Sequence, residues 1–141
     1  MNASATTSRP AVLFVCAKNG GKSQMAAGLM TLEAGDDITI TSAGTKPGDA
    51  INALSAEVLL DLGVDISEQV PKPLTEANMR AAGLVVVLGT EAQVPEVEGV
   101  QVEVWETDEP SLRGIEGRER MELVRDDIHA RVRALKARLL G

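Results

Sequence analysis

Residues 12–23, VLFVCAKNGGKS, place an apolar strand, a cysteine, a glycine-rich bend and a helix start in immediate succession. Val12, Leu13, Phe14 and Val15 form a wholly apolar run, the pattern of a strand covered on both faces of a parallel sheet. The run ends at Cys16. Asn19, Gly20 and Gly21 then tolerate the positive φ of a tight bend, and a helical pattern opens at Ser23. A strand feeding a tight loop and a helix makes an anion cradle, because successive N–H groups converge there and the helix start adds partial positive charge. Ala17, Lys18, Asn19, Gly20, Gly21 and Lys22 are therefore candidate ligands of a tetrahedral oxyanion. The same field favours the thiolate of Cys16. A free cysteine is often a small buried hydrophobe, but at the mouth of such a loop it reads as a nucleophile.

The remaining chain reads as support for this stretch. Met25, Ala26, Leu29, Met30 and Leu32 predict a helix over residues 23–33 that packs on a sheet and stops at Gly35. Residues 38–41 read as a second strand running into Ser42, Ala43, Gly44 and Thr45. A helix follows over residues 53–62, with Gly63 as its cap. Another is capped by Thr75 and ends near Gly83. The third strand is LVVVL, residues 84–88. The fourth has Val100, Val102 and Val104 alternating with Gln101 and Glu103, an edge strand with one wetter face closed by Trp105. A long helix over residues 118–140 buries Met121, Val124, Ile128, Val132, Leu135 and Leu139. His129 falls outside that stripe, and both it and Lys72 are expected to be solvated. The alternation predicts an open four-stranded parallel α/β sheet with helices on both faces, the second strand on one edge and the fourth on the other.

At 141 residues the chain is expected to form a single domain over residues 11–141 behind a polar tail of residues 1–10. The net charge of −7 argues against a nucleic-acid partner. No apolar run reaches membrane-spanning length and the start has no signal-peptide core, so a cytoplasmic protein is expected. A homodimer is left open. The single cysteine excludes an internal disulfide, a cysteine-rich metal site and an intramolecular thiol relay.

Two motifs compete for the loop. As a Walker A sequence it matches at Gly21, Lys22 and Ser23, but Cys16 replaces the first glycine. Gly89 and Thr90 after the third strand also provide no acid for magnesium. As C-x5-R-[ST] it resembles the low-molecular-weight protein tyrosine phosphatases and the arsenate reductases of the same fold, through Cys16, Asn19 and Ser23, with lysine at position 22 where that family has arginine. The SAGT stretch at residues 42–45, LGVDIS at 62–67 and PKPL at 71–74 extend the resemblance over nearly all the chain beyond residue 10, the last two toward the arsenate reductase branch. The form CAKNGGKS with a lone cysteine looks like the arsenate-mycothiol transferases.

This resemblance implies a flavodoxin-like strand order and a set of roles. Cys16 is the nucleophile, Lys22 neutralises the oxyanion, and Ser23 supports the thiolate. Ser42 steadies Asn19. Asp108 is the general acid, from the ETDEP loop after the last strand. Glu109 stays open as an alternative, because it lies between Asp108 and Pro110. No bound cofactor or metal is implied. Arsenate is the substrate, mycothiol the co-substrate, a glutaredoxin-like mycoredoxin the partner, and arsenic detoxification the purpose. Phosphatase action on a small phosphomonoester is the alternative, and a non-catalytic oxyanion or nucleotide module a third reading. With no tyrosine, one phenylalanine and one tryptophan, the chain offers little wall for a phenyl ring and favours a bare oxyanion. Lysine lacks the bidentate fork of arginine, so weak phosphatase activity is expected.

Overall fold

The computed structural model describes residues 9–141; the tail expected over residues 1–10 lies outside them except for Arg9 and Pro10. In chain order the elements are β1 (Ala11–Cys16), α1 (Lys22–Ala34), β2 (Thr39–Gly44), α2 (Ala53–Leu60), α3 (Glu76–Ala82), β3 (Leu84–Leu88), β4 (Gln101–Trp105) and α4 (Gly117–Leu140). The four strands form one sheet in the order β2-β1-β3-β4, all parallel. This is the flavodoxin-like order expected, and it leaves the carboxyl ends of β1 and β3 adjacent in the middle of the sheet.

Alternate residues of the apolar strands serve two separate cores, which is why β1 and β3 carry no polar face. Val12, Phe14, Val86, Leu88 and Trp105 pack with α1, α2 and α4, while Leu13, Val15, Val85 and Val87 pack with Met79 of α3 and Val97. Met25, Leu29 and Met30 of α1 are fully buried. So are Val124, Ile128, Val132 and Leu135 of α4, to within 1%. Phe14 and Trp105 meet at 5.8 Å between ring centroids with a 54° tilt, an arrangement aromatic pairs favour.

Helix ends follow local chemistry. Thr75 and Asn78 form a reciprocal capping box at the start of α3, and Gly83 ends that helix at φ 76°. α2 ends at Leu60, two residues before the expected Leu62, because the N–H groups of Leu62, Gly63 and Val64 turn back onto Leu59 and Leu60. β2 runs on through Gly44 because Pro73 bridges beside it.

Two expectations are corrected. β4 is the predicted edge strand, but Val102 and Val104 are exposed, at 43% and 56%, while Glu103 is not. Glu103 turns toward α4 instead, accepting from Trp105 Nε1 at 2.7 Å and from Arg138 at 2.8 Å. The indole and guanidinium donors decide which face is wet, and alternation alone could not report them. His129 is not solvated: its side chain is 12% exposed and lies 2.7 Å from Glu33 of α1. That hydrogen bond, with Arg133 beside it, holds the Glu33 carboxyl below the ordinary range. No helix among the described residues is long and apolar enough to cross a membrane.

Candidate functional site

β1 delivers Cys16 to the carboxyl edge of the sheet, and residues 17–21 turn the chain into α1. The backbone of this loop is oriented by what its carbonyls touch. Cys16 O accepts from Thr45 N, Ala17 O from Lys46 N at 2.8 Å, Lys18 O from Gly48 N at 2.9 Å, and Gly20 O from Asn52 N at 2.7 Å. Gly21 O accepts from Met25 N at 2.9 Å, and Asn19 O from Gln24 Nε2 at 3.2 Å. With the carbonyls engaged outside, the N–H groups of Ala17, Lys18, Gly20, Gly21 and Lys22 have no acceptor among the described residues. Unpaired amides at a helix start are an anion site. α1 adds to it, with no acidic residue in its first turn and no side-chain cap competing for the N–H groups.

Two glycines make the loop's close approaches possible. A Cβ on Gly44 would lie 2.7 Å from Ala17 O, and one on Gly20 would lie 2.8 Å from Ala50 O, both well inside contact distance. The SAGT stretch thus sits against the loop through backbone.

The thiol is held by a chain of oriented hydrogen bonds. The N–H of Lys72 donates to Asn19 Oδ1 at 2.9 Å, which fixes the Asn19 amide so that Nδ2 donates to Ser23 Oγ at 2.7 Å. Ser23 has then only its own hydroxyl hydrogen to offer, and Cys16 Sγ lies 3.0 Å away. The Asn19 N–H donates to the same sulfur at 3.3 Å. The serine hydroxyl and the Asn19 amide thus both converge on the sulfur. Asn19 is fully buried and takes φ 53°, a left-handed conformation that its short polar side chain tolerates.

Ser42 was expected to steady Asn19, and the structure corrects this. The Asn19 side chain is bonded to Ser23, Gln24 and the Lys72 backbone, and Ser42 is not among its partners. Ser42 is two register positions short, opposite Phe14, while Gly44 lies opposite Cys16 and is tied to Lys72 O at 2.7 Å. Lys72, expected to be merely solvated, is half-buried, and that burial pushes its ammonium below the ordinary range. The sequence reading also passed over Gln24, which is 2% exposed and bridges Asn19 to Val70 O. A glutamine in a helix stripe otherwise made of Met, Ala and Leu was its only signal.

The acid loop sets its two candidate carboxylates apart. Asp108 faces Arg113, with both carboxylate oxygens bonded at 2.8 and 3.1 Å, and this pairing holds its carboxyl below the ordinary range. Glu109 instead reaches the loop and pairs with Lys22 Nζ. Pro110 begins a 3-10 turn, Pro110–Arg113, that carries Arg113 back onto Asp108. Nearby Thr107 is buried with its Oγ1 unpartnered.

Cys16, residues 17–22 apart from buried Asn19, and the segment of residues 46–50 border an open cleft of about 780 Å³. Leu88, Glu91, Arg120, Met121 and Val124 complete its rim. No aromatic side chain lines it. The described residues contain no cluster of three or more His, Cys, Asp or Glu able to hold a metal.

A parallel α/β sheet thus presents one thiol within a ring of unpaired amides at its central carboxyl edge. The family description "Low molecular weight phosphotyrosine protein phosphatase" matches residues 11–140, and the chain belongs to that family. Among solved structures it is similar to the thioredoxin-dependent arsenate reductase of Corynebacterium glutamicum, with 32% identity and TM-score 0.80, covering 96% of this chain and 64% of that one. This chain therefore spans just under two thirds of that relative's length. It is 29% identical over 130 residues to an arsenate reductase of Staphylococcus aureus, covering 90% of this chain and 96% of the relative. To the glutaredoxin arsenate reductase of Synechocystis it is 28% identical over 132 residues, covering 91% and 97%.

Proposed function

We propose that this protein is an arsenate reductase that couples arsenate to an external low-molecular-weight thiol, mycothiol, in cytoplasmic arsenic detoxification. The observation that carries the reading is a single cysteine thiol in the sequence, set in an anion cradle. Reducing arsenic(V) to arsenic(III) takes two electrons, and forming a disulfide with them takes two sulfurs. The cradle holds one at most, so the reductant is external. The arsenate reductase relatives, among them one named for glutaredoxin, support the substrate class and an external dithiol or thiol system.

In the proposed reaction the amides of residues 17–22 and the Lys22 ammonium take up the charge of the arsenate oxygens. Cys16 thiolate attacks arsenic, and one oxygen leaves as water with a proton from a carboxyl group. Glu109 is assigned that proton on position, because it reaches the loop beside Lys22 while Asp108 is turned onto Arg113. The external thiol displaces Cys16 sulfur from arsenic and carries the arsenate away as a thiol adduct. A thiolate of the glutaredoxin-like partner then attacks the adduct's sulfur. The arsenic–sulfur bond breaks with its electron pair left on arsenic, giving arsenite and a mixed disulfide, which a second thiol reduces. The cleft has room beside a tetrahedral anion for the incoming thiol, and its rim lacks the aromatic walls suited to a phenyl phosphate.

The test is arsenite formation by the purified protein with mycothiol and its glutaredoxin-like partner, with the thioredoxin system, and with no thiol, run beside para-nitrophenyl phosphate hydrolysis. Arsenite only in the mycothiol arm is the expected result. Arsenite with thioredoxin alone would replace the thiol assignment. Thiol-independent phosphate release without arsenite would move the protein to the phosphatases.

A further inference from the structure

Arg120 stands apart from every other arginine in the described residues. Each of the others bonds a carboxylate or a backbone carbonyl through its guanidinium. Among the described residues Arg120 forms neither a hydrogen bond nor an ion pair, although the chain holds 21 Asp and Glu against 14 Lys and Arg. It is half-buried in the first turn of α4, and its Nε is enclosed without a protein acceptor. An enclosed charged donor left unbonded is destabilising, and folded proteins rarely retain one without a use.

Its position indicates the use. Arg120 lines the cleft that holds Cys16 and the loop. The contact runs through Ser55, whose Oγ lies 3.6 Å from where a Cβ on Gly21 would stand and donates to Met121 Sδ at 3.6 Å. The residue following Arg120 is thus one side chain from the loop. Lys18 and Lys46 border the same cleft but are exposed and extend toward water. Lys22, the loop's own cation, is already matched by Glu109. A phosphate-like anion carries more than one negative charge near neutral pH, so the cleft needs a further cation.

We propose that Arg120 is a substrate-binding residue whose guanidinium reaches from α4 to the oxyanion in the cradle and supplies the two-donor fork that lysine at position 22 lacks. This rests on the oxyanion reading of the loop. The amides then hold one side of the anion and the guanidinium the other.

The experiment compares the wild-type protein with Arg120→Gln, Arg120→Lys and Arg133→Gln. Arg133 pairs with Glu33 away from the cleft, so its variant controls for the lost charge. Binding of inorganic phosphate and of arsenate is measured by calorimetry, with melting temperature and steady-state arsenite formation alongside. Arg120→Gln is expected to weaken both anions about 10- to 100-fold, as removal of a charged hydrogen-bonding partner does. Arg120→Lys should recover part of the loss and Arg133→Gln should change binding less than about twofold. KM for arsenate should rise more than kcat falls, and the ligand-free melting temperature of Arg120→Gln should not drop. Unchanged anion binding in Arg120→Gln would overturn the assignment, and so would a loss of binding matched by a drop in ligand-free melting temperature. A wild-type protein that binds the anions through Arg120 yet yields no arsenite in any thiol arm would instead sink the reductase reading and leave Arg120 in place.

Discussion

The loop of residues 16–23 and the loop of residues 106–114 meet at Lys22, yet they are held by different means. In the first, the links around the sulfur run between near neighbours: Cys16 to Ser23, Asn19 to Cys16, Asn19 to Ser23. In the second, the links come from far along the chain. Asp127 of α4 accepts from Asp108 N at 2.9 Å, Arg131 donates to Glu106 O at 2.8 Å, and Lys22 pairs with Glu109. The first loop is a cradle built into one strand–helix junction. The second is an arm positioned by α4, which sets which carboxylate it presents to Lys22. Nucleophile geometry is thus over-determined, while the proton donor depends on docking.

The sharpest probe of the cradle is Cys16→Ser. It should lower arsenite formation by at least about 10⁴-fold while keeping calorimetric binding of arsenate, because the amides remain. Loss of binding together with activity would mean that the sulfur, and not the backbone, holds the anion. The arm is probed by Glu109→Gln, expected to lower the rate at saturating arsenate by about 10²- to 10⁴-fold, the usual worth of a general acid. Asp108→Asn should stay within about threefold of wild type, since its charge serves Arg113. A reversed order would return the acid role to Asp108 and show that the arm re-docks in the reacting complex.

Within the cradle, Asn19→Ala should cost about 1–3 kcal/mol of stability in denaturant unfolding, because it strands the Lys72 N–H and Gln24 donors inside. Unchanged stability would show that the relay to Ser23 and Cys16 is incidental. Lys22→Arg should raise para-nitrophenyl phosphate hydrolysis several-fold through a bidentate grip. No change there would mean that the cradle's amides alone carry the charge. The smallest effect belongs to the arm. Arg113 lowers the Asp108 pKa, so the pair's stabilisation is present above the carboxyl's unfolded pKa of about 4 and fades as pH falls through the folded value. Asp108→Asn should therefore lower the melting temperature slightly at pH 7, with the difference vanishing in strong acid. A difference that persists there would mean the side chain acts by packing.

Much of this was legible in the residues themselves. The wholly apolar runs at residues 12–15 and 84–88 required two covered faces, and strands alternating with helices in a right-handed sense leave few sheet orders. Thr75 and Gly83 marked the ends of α3 because caps are local. The Cys16 to Ser23 pattern foretold a loop of converging amides for the same reason, since these groups are the loop's own. Contacts that cross the sheet were not legible. Ser42 read as the partner of Asn19 because a short hydroxyl sits in the neighbouring strand end. The register instead put Ser42 opposite Phe14 and brought the Lys72 backbone to the asparagine. Asp108 read as the acid from the resemblance, with Glu109 left open between it and Pro110; the turn at Pro110 carries Arg113 onto Asp108, and Glu109 stands at Lys22.

The sequence by itself determined a parallel α/β sheet, a lone thiol at the end of its first strand and a cradle of amides behind it. All of these follow from apolar periodicity, glycine and helix-start chemistry acting over a few residues. Tertiary structure alone decided which carboxylate stands at Lys22, which backbone holds Asn19, and that Arg120 faces the thiol's cleft without an ion partner among the described residues. These depend on where α4 and the stretch before α3 come to rest against the sheet. That docking is set by the burial of whole faces, and no single residue's neighbours in the chain encode it.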